Sequence, residues 1–177
     1  WTQVGSDIDG ESAEDASGFS ISLSADGSII AVGSRMFGRN GSGHVRIYKN
    51  DNNTWTKVGD NIEGEAAGDL FGGGSVSLSA DGSVVAIGAD GKDANGRNSG
   101  QVQIYKNVNN TWTQVGSDID GESADDLSGT SVSLSSDGNV VAIGAYTNDG
   151  NGSDSGHVRI YQNVNNNWVQ VGSDIDG

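Results

Sequence analysis

Residues 131–144 read SVSLSSDGNVVAIG, a pattern that predicts two β-strands joined by a tight turn. Residues 131–135 alternate polar and apolar side chains with a period of two, which is typical of a strand with one buried face. Residues 140–144 are continuously apolar and rich in β-branched side chains, as expected of a strand covered on both faces. Asp137-Gly138 lies between them and supplies the positive φ that a tight hairpin requires.

This hairpin pattern is written three times, and its copies are separated by evenly spaced tryptophans. The tryptophans are Trp1, Trp55, Trp112 and Trp168, at spacings of 54, 57 and 56 residues. A unit of this length cannot bury its apolar face alone, so neighbouring repeats must stack to form a core. The chain is therefore predicted to be a tandem array.

The remainder of each repeat predicts two further strands. In the third repeat, a loop at residues 146–155 leads to a strand at 156–161, and an Asn-rich turn at 163–167 leads to a last strand at 168–171. Short antiparallel strands joined in sequence form a four-stranded meander, which is the blade of a β-propeller. We therefore expect an all-β fold of tandem four-stranded antiparallel blades, as a β-propeller or a propeller-like array.

The four tryptophans predict four outer strands, but only three complete repeats accompany them. The predicted divisions are an extra fourth strand with its connector at 1–10, and blades at 11–64, 65–121 and 122–177. Because both ends fall inside a repeat, we expect the chain to be a segment of a longer array. Exposed strand edges can pair further, so the extra strand is also compatible with a polymer built by strand exchange.

The composition excludes several classes of partner. The formal net charge is -15, with nine Lys and Arg in all, whereas binding to nucleic acid or an anionic membrane needs clustered positive charge. No cysteine is present, so disulfides and thiolate metal sites are excluded. No stretch is apolar enough to span a bilayer, and membrane insertion is not expected.

The middle repeat carries Phe71-Gly72 with Ser75-Val76, then VAIGA at residues 85–89 and GQVQIY at residues 100–105. These residues resemble the FG-GAP repeats of the integrin alpha-chain propeller, and the resemblance extends over every repeat. The phrase at 1–10, WTQVGSDIDG, is similar to one found in bacterial and algal extracellular arrays. This resemblance implies a secreted or cell-surface scaffold for adhesion or assembly. Two features depart from it, since the Asp-Gly turns offer one carboxylate each and Phe-Gly occurs at this position only in the middle repeat.

Acidic residues near each outer strand predict a cation site. Calcium takes six to eight oxygen ligands from flexible loops, and the chain offers recurring carboxylates there. The predicted calcium ligands are Asp7, Asp9, Glu11, Asp118, Asp120 and Glu122. The alternative is that these residues are solvated turns around a packed isoleucine, and a second possible cation site is the loop at 148–151.

Four asparagines lie in Asn-x-Ser/Thr sequences, in predicted turns or loops, and would accept glycans in a eukaryotic secreted protein. They are Asn40, Asn52, Asn109 and Asn151. The tryptophans could stack on sugars, although packing between blades is the favoured interpretation.

No catalytic residue and no certain cofactor are predicted, because no nucleophile, base and orienting acid converge in one repeat. His44 and His157 occupy one repeated place where the middle repeat has Gln101. The favoured function is a non-enzymatic extracellular or cell-surface scaffold, in adhesion or as a building block of a fibre. Its partners would be further repeats, copies of itself, cell-surface proteins or glycans. The alternative is a calcium- or glycan-binding lectin-like module, and a hydrolase propeller is disfavoured.

Overall fold

The computed structural model describes residues 1–36 and 42–177, and every regular element in these ranges is a β-strand. The strands form three antiparallel sheets, which we call blades 1, 2 and 3. Blade 1 contains β1 (Ser17–Leu23), β2 (Ile29–Ser34), β3 (His44–Asp51), β4 (Thr54–Lys57) and β5 (Ile62–Glu63). Blade 2 contains β6 (Val76–Leu78), β7 (Val84–Ala89), β8 (Gln101–Val108), β9 (Thr111–Gln114) and β10 (Ile119–Asp120). Blade 3 contains β11 (Ser131–Leu134), β12 (Val140–Ala145), β13 (His157–Val164), β14 (Asn167–Gln170) and β15 (Ile175–Asp176). The predicted all-β, blade-by-blade architecture is confirmed, and no helix of the described residues could span a membrane.

The first hairpin of each blade is closed by the side chain of the turn aspartate. In blade 1, Asp26 accepts hydrogen bonds from the Ser28 backbone N–H at 2.9 Å and from the Ser24 hydroxyl at 2.7 Å. Asp81 and Asp137 make the corresponding contacts in blades 2 and 3. The glycine that follows has a φ of 70° at Gly27, in the left-handed region that glycine favours. The single carboxylate of each turn is therefore occupied in fixing the hairpin.

The second tight turn of each blade is an Asn-Asn pair. Both residues of the pair at Asn165-Asn166 have positive φ, 54° and 63°, which is the backbone of a type I′ hairpin. The Asn163 side chain accepts a hydrogen bond from the Asn166 N–H at 2.8 Å. The predicted turn at 163–167 is thus shorter than expected, because β13 continues to Val164.

Each blade has a short fifth strand that the sequence pattern did not predict. In blade 2 the long strand β8 pairs first with β10 and then with β9, so two short strands share one neighbour. Gly116, with a φ of 75°, lies between β9 and β10. The acidic stretch at 118–122 therefore contributes strand residues Ile119 and Asp120 to blade 2. The buried Ile119 explains this pairing, since it packs in the core between blades 2 and 3.

Residues 1–10, predicted to supply an extra fourth strand, contain no strand in this structure. A strand needs a free neighbour, and each long strand β3, β8 and β13 already pairs with the two short outer strands of its own blade. The segment instead lies beside blade 1, where the Val4 carbonyl accepts a hydrogen bond from the Trp55 indole at 2.9 Å.

The core lies between successive blades. One apolar cluster joins blades 1 and 2 and contains Ile47, Phe71 and Ile87, and a second joins blades 2 and 3 and contains Ile104 and Ile143. All six residues of β7 are buried, as predicted for a strand covered on both faces. The same prediction is wrong for β12 at residues 140–145, where buried and half-buried residues alternate because only one face of blade 3 is covered.

We expect Phe71→Ala to lower the free energy of unfolding by about 3–5 kcal/mol, because the removed ring leaves a cavity between two blades. The Phe71 side chain is buried and meets the Tyr105 ring edge-on, with centroids 6.4 Å apart. Urea denaturation would measure the change. Ser128 occupies the corresponding place in blade 3, so Ser128→Ala is the matched control and should change stability little. An equal effect of both substitutions would contradict this assignment of the core.

The turn aspartates predict a loss of stability in acid. Hydrogen bonds from the Ser28 N–H and from the Ser24 and Ser28 hydroxyls lower the pKa of Asp26 from 3.8 to about 2, and similar bonds lower the pKa of Asp81 and of Asp137. A carboxylate with a lowered pKa in the folded state stabilises the fold above its unfolded pKa, and this contribution is lost as the pH falls through the folded pKa. The urea midpoint should therefore decrease between about pH 4 and about pH 2.

The triple variant D26N/D81N/D137N tests this origin, because Asn cannot titrate in that range. Its urea midpoint should be lower than that of the parent chain at pH 5 and should change less between about pH 4 and about pH 2. An identical acid dependence in both proteins would contradict the assignment to the three turns.

Candidate functional site

The interface between successive blades occurs twice in the described chain and is formed by corresponding residues. Val76 and Leu78 of β6 face blade 1 and are each 7% exposed. Val132 and Leu134 of β11 pack in the same way on the cluster between blades 2 and 3. The first strand of a blade therefore covers the face of the blade before it.

Hydrogen bonds cross this interface at corresponding positions. The Ser20 hydroxyl of blade 1 donates to the Gly72 carbonyl of blade 2 at 2.6 Å. Leu78 of blade 2 donates its backbone N–H to the Ser22 hydroxyl of blade 1 at 3.0 Å. The hydroxyls that alternate with the apolar residues of β1 thus face the next blade and position it.

The same two bonds join blades 2 and 3. The Ser75 hydroxyl donates to the Gly129 carbonyl at 3.2 Å, and the Leu134 N–H donates to the Ser77 hydroxyl at 2.9 Å. Two interfaces of different core composition are therefore held in one register.

A chain reversal before each first strand inserts into a notch of the blade before it. The Phe71 N–H donates to the Ser42 carbonyl at 3.0 Å, and the Ser128 N–H donates to the Ser99 carbonyl at 3.0 Å. No side chain fits at the notch glycine Gly100, because a Cβ there would lie 2.1 Å from the Ser128 carbonyl oxygen.

The tryptophans tie the outer strands of successive blades. The Trp112 indole donates to the Val58 carbonyl at 2.9 Å, and the Trp168 indole donates to the Val115 carbonyl at 2.8 Å. Each ring is half-buried against the preceding repeat. These contacts agree with packing between blades, the interpretation that the sequence favoured over sugar stacking.

None of the described residues covers the front of blade 1 as a blade, and the apolar side chains there are exposed. We call this surface, formed by Phe19, Ile21 and Leu23 of β1, the front face. Ile21 is 63% exposed and Leu23 is 56% exposed, whereas their counterparts in blade 2 are buried. The period-two pattern predicted one buried face for this strand, and the structure instead buries the serines Ser20 and Ser22 partly and exposes the apolar side.

Blade 3 exposes the opposite half of the interface. We call its surface, formed by Tyr146, Val158 and Ile175, the back face. Ile175 is 57% exposed, whereas the corresponding Ile62 and Ile119 are 6% and 5% exposed. A groove of about 450 Å³ lies there and is lined by residues that include Val158, Ile175 and Ser155. It corresponds to the notch that Phe71 and Ser128 fill in the other two blades.

Of the predicted calcium ligands in residues 1–11, Asp7 and Glu11 make side-chain contacts within the protein. The Asp7 carboxylate accepts a hydrogen bond from Gln3 at 2.8 Å, and the Asp9 backbone carbonyl accepts one from Arg46 at 3.0 Å. Glu11 lies 3.7 Å from Lys57 and 3.8 Å from Arg46, and it accepts a hydrogen bond from Asn61. Burial opposes the shift, but the Asn61 hydrogen bond and these cations together lower the pKa of Glu11.

In the second predicted set, Asp118 and Asp120 meet at the side-chain amide of Gln101, and among the described residues no group of three ligand atoms within 4.8 Å joins them to Glu122. Asp118 and Asp120 accept hydrogen bonds from Gln101 at 3.2 and 2.9 Å, inside blade 2. Glu122 lies in blade 3, 3.4 Å from Arg159.

Glu122 instead joins a group that the sequence pattern did not reveal. In the part of the chain that the structure describes, the ligand atoms of Glu122, His157 and Asp174 form the one group of three or more His, Asp or Glu atoms within 4.8 Å of one another. The His157 side chain is buried, and its Nδ1 atom lies 3.9 Å from Glu122 and 3.8 Å from Asp174. Blade 1 has Asn61 in place of Asp174 and blade 2 has Gln101 in place of His157, so blade 3 alone among the three blades carries all three ligand types at these positions.

The predicted glycosylation sites fall on exposed turns. Asn52 and Asn109 are the first residues of the Asn-Asn turns in blades 1 and 2, and Asn151 lies in the long loop of blade 3. Asn40 lies outside the described residues.

His44 and His157 both begin the long strand of their blades and are buried, and His44 lies 3.9 Å from Asp15. Asn148, in the other loop considered for a cation, is buried and donates to Asp126 at 3.0 Å.

Known proteins support the family and the fold. The sequence profile of the FG-GAP repeat matches residues 63–105 and 117–161. No curated protein shows significant sequence similarity to the chain.

Three solved structures share the fold at low identity. A protein from Bacteroides uniformis assigned as a 6-phosphogluconolactonase is 14% identical, with a TM-score of 0.60 over 89% of this chain and 40% of that one. Sqt1 from Saccharomyces cerevisiae is 14% identical, with a TM-score of 0.57 over 93% of this chain and 36% of its own. Hydrazine synthase from Kuenenia stuttgartiensis is 13% identical, with a TM-score of 0.53 over 96% and 39% of the two chains.

The chain thus spans well under half the length of each of these structures, and at such identity they share its fold alone. The repeat profile is more specific, because it matches blades 2 and 3 in turn. Blades 2 and 3 thus match the FG-GAP repeat, and the chain is a tandem array of β-propeller-type blades.

Proposed function

We propose that this chain is a non-enzymatic extracellular scaffold that builds a surface-adhesive or fibrous assembly by stacking further blades on its two ends. One observation carries the proposal: the front face and the back face are the two halves of an interface that the chain already makes twice. A protein with both halves exposed gains apolar burial whenever a blade of the same kind covers either end.

The polar residues that recur in every blade support a structural role. Asp26, Asp81 and Asp137 are occupied in fixing hairpins. The indoles of Trp112 and Trp168 join adjacent blades. These side chains therefore serve the array itself, and FG-GAP repeats are in general non-catalytic.

An extracellular setting is supported by the family and by the exposed asparagine turns. FG-GAP repeats are typical of extracellular or surface proteins. Asn52 and Asn109 are exposed at the tips of hairpins. The net charge of -15 favours solubility of a chain that exposes apolar ends.

A second candidate function is a cation-dependent binding module, and the group of Glu122, His157 and Asp174 is the observation that favours it. An imidazole beside carboxylates suits zinc or another transition metal better than calcium, which prefers oxygen ligands. On this alternative, zinc or calcium would raise the melting temperature of the chain, Glu122→Gln would abolish the increase, and a glycan array would show cation-dependent binding. On the scaffold function, the melting temperature is the same with either ion and with chelator.

The scaffold function predicts concentration-dependent assembly that does not require calcium. Light scattering and negative-stain imaging should show rings, filaments or open chains with the same mean mass in calcium and in chelator, because apolar faces provide the contact. Surface labelling of intact producing cells should reach the protein. A chain that stays monomeric at all concentrations, or one that is found only inside cells, would contradict the proposal.

A further inference from the structure

We propose that a second copy of this chain docks its front face on the back face of the first, and that residues 168–177 of the first copy displace residues 1–10 of the second. This inference rests on the proposed scaffold function and identifies a second copy of the chain as the partner. We call the contact between the two copies the joint. Such a joint is head-to-tail, so each copy keeps one free face and can add another.

Residues 1–10 and 168–177 are near-duplicates, which is the first observation behind this joint. The two segments read WTQVGSDIDG and WVQVGSDIDG and differ only at Thr2 and Val169. Residues 168–177 include most of β14 and all of β15, the outer strands of blade 3.

Residues 1–10 already occupy, on blade 1, the place that the outer strands of a preceding blade occupy on blades 2 and 3. Trp55 donates to the Val4 carbonyl at 2.9 Å, as Trp168 donates to the Val115 carbonyl at 2.8 Å. Arg46 donates to the Asp9 carbonyl at 3.0 Å, as Arg159 donates to the Asp120 carbonyl at 2.8 Å. Residues 1–10 therefore make two of the contacts on blade 1 that the outer edge of blade 2 makes on blade 3.

Two such segments cannot occupy one place. If blade 1 of a second copy stacks on blade 3, its Trp55 and Arg46 meet the Val171 and Asp176 carbonyls of the first copy. The first copy holds these residues by a sheet ladder, with Gln170 opposite Tyr161 and Ile175 opposite Val158. Residues 1–10 have no ladder, so they are the segment that leaves.

The remaining contacts of the joint follow from the two internal interfaces. Ser131 of the first copy corresponds to Ser20 and Ser75, so its hydroxyl would donate to the Gly18 carbonyl of the second copy. The Leu23 N–H of the second copy would donate to the Ser133 hydroxyl of the first copy, as Leu78 and Leu134 donate to Ser22 and Ser77.

The groove on the back face receives the chain reversal of the second copy. The Ser17 N–H of that copy would reach the Ser155 carbonyl, as the Phe71 and Ser128 N–H groups reach the Ser42 and Ser99 carbonyls. The backbone is already preset for this insertion, because Ala16 has a φ of 50° where Leu70 and Leu127 have 57° and 54°.

The direction of the joint is tested by complementary surface variants of the full chain. Ile21→Asp damages only the front face and Ile175→Asp only the back face, and both residues are exposed in the single chain, so folding should be unchanged. Each variant alone should lose association roughly a hundredfold or more, since the joint would bury an unpaired carboxylate.

Mixing the two variants should restore one joint, between the back face of the Ile21→Asp chain and the front face of the Ile175→Asp chain. Analytical ultracentrifugation should then show a one-to-one pair that grows no further. Val108→Asp is the control, because Val108 is 52% exposed and lies on neither face. A mixture that stays monomeric, or a single variant that still pairs with itself, would overturn the head-to-tail joint.

The displacement of residues 1–10 is tested by a matched pair of glycine variants. Gly5 and Gly172 correspond, with φ of 74° and 76°, so a side chain strains both backbones alike. A Cβ at Gly5 would lie 2.9 Å from the Asn53 carbonyl oxygen and from Trp55, whereas at Gly172 it meets nothing within 4 Å in the single chain.

Gly5→Val should therefore loosen residues 1–10 and strengthen association about tenfold, by removing a competitor for the Trp55 and Arg46 donors. Gly172→Val should weaken association, because it obstructs the incoming Trp55 of the second copy. If Gly5→Val leaves association unchanged while the variant mixture still pairs, the displacement is wrong and the scaffold function stands. If no chain associates at any concentration, the scaffold function fails as well.

Discussion

The structure depends on the burial of each blade's first strand against the face of the blade before it. This contact supplies both apolar clusters, and the serine-to-backbone bonds on either side of it fix its register. A single blade has two faces and too few residues to bury either one, so stability comes from neighbours. Blade 2, which has both neighbours, is the one blade of the described chain whose second strand is buried throughout.

Because each blade depends on its neighbours for burial, the apolar outer faces of blades 1 and 3 are the exposed ends of the described core. A globular domain closes its core on itself, whereas this chain ends its core at two apolar surfaces of matching design. Residues 1–10 accept the hydrogen bonds of the Trp55 and Arg46 side chains of blade 1, but they do not cover Ile21 or Leu23. The outer edge of blade 1 is thus satisfied while its apolar face stays exposed.

The sequence predicted the fold well because strand period, turn residues and repeat spacing are local signals. Asp137-Gly138 and the Asn-rich turns marked the hairpins, and β7 was correctly expected to be covered on both faces. The short fifth strand was missed, because its two residues carry no periodic pattern. The exposure of Ile21 was also missed, since a strand's alternation shows which side is apolar and not whether a neighbour covers it. The group at Glu122, His157 and Asp174 depends on long-range pairing, which no local pattern reveals.

The central claim, that the two end faces are halves of one interface, is tested most directly by amide hydrogen exchange measured at low and high protein concentration. Association should slow exchange at residues 17–23 and around residues 155–158 and 175 together, while residues 1–10 exchange faster. The internal interface at 76–78 should be unchanged, since it is formed in the single chain. Protection that appears on one face alone, or on neither face, would contradict the account.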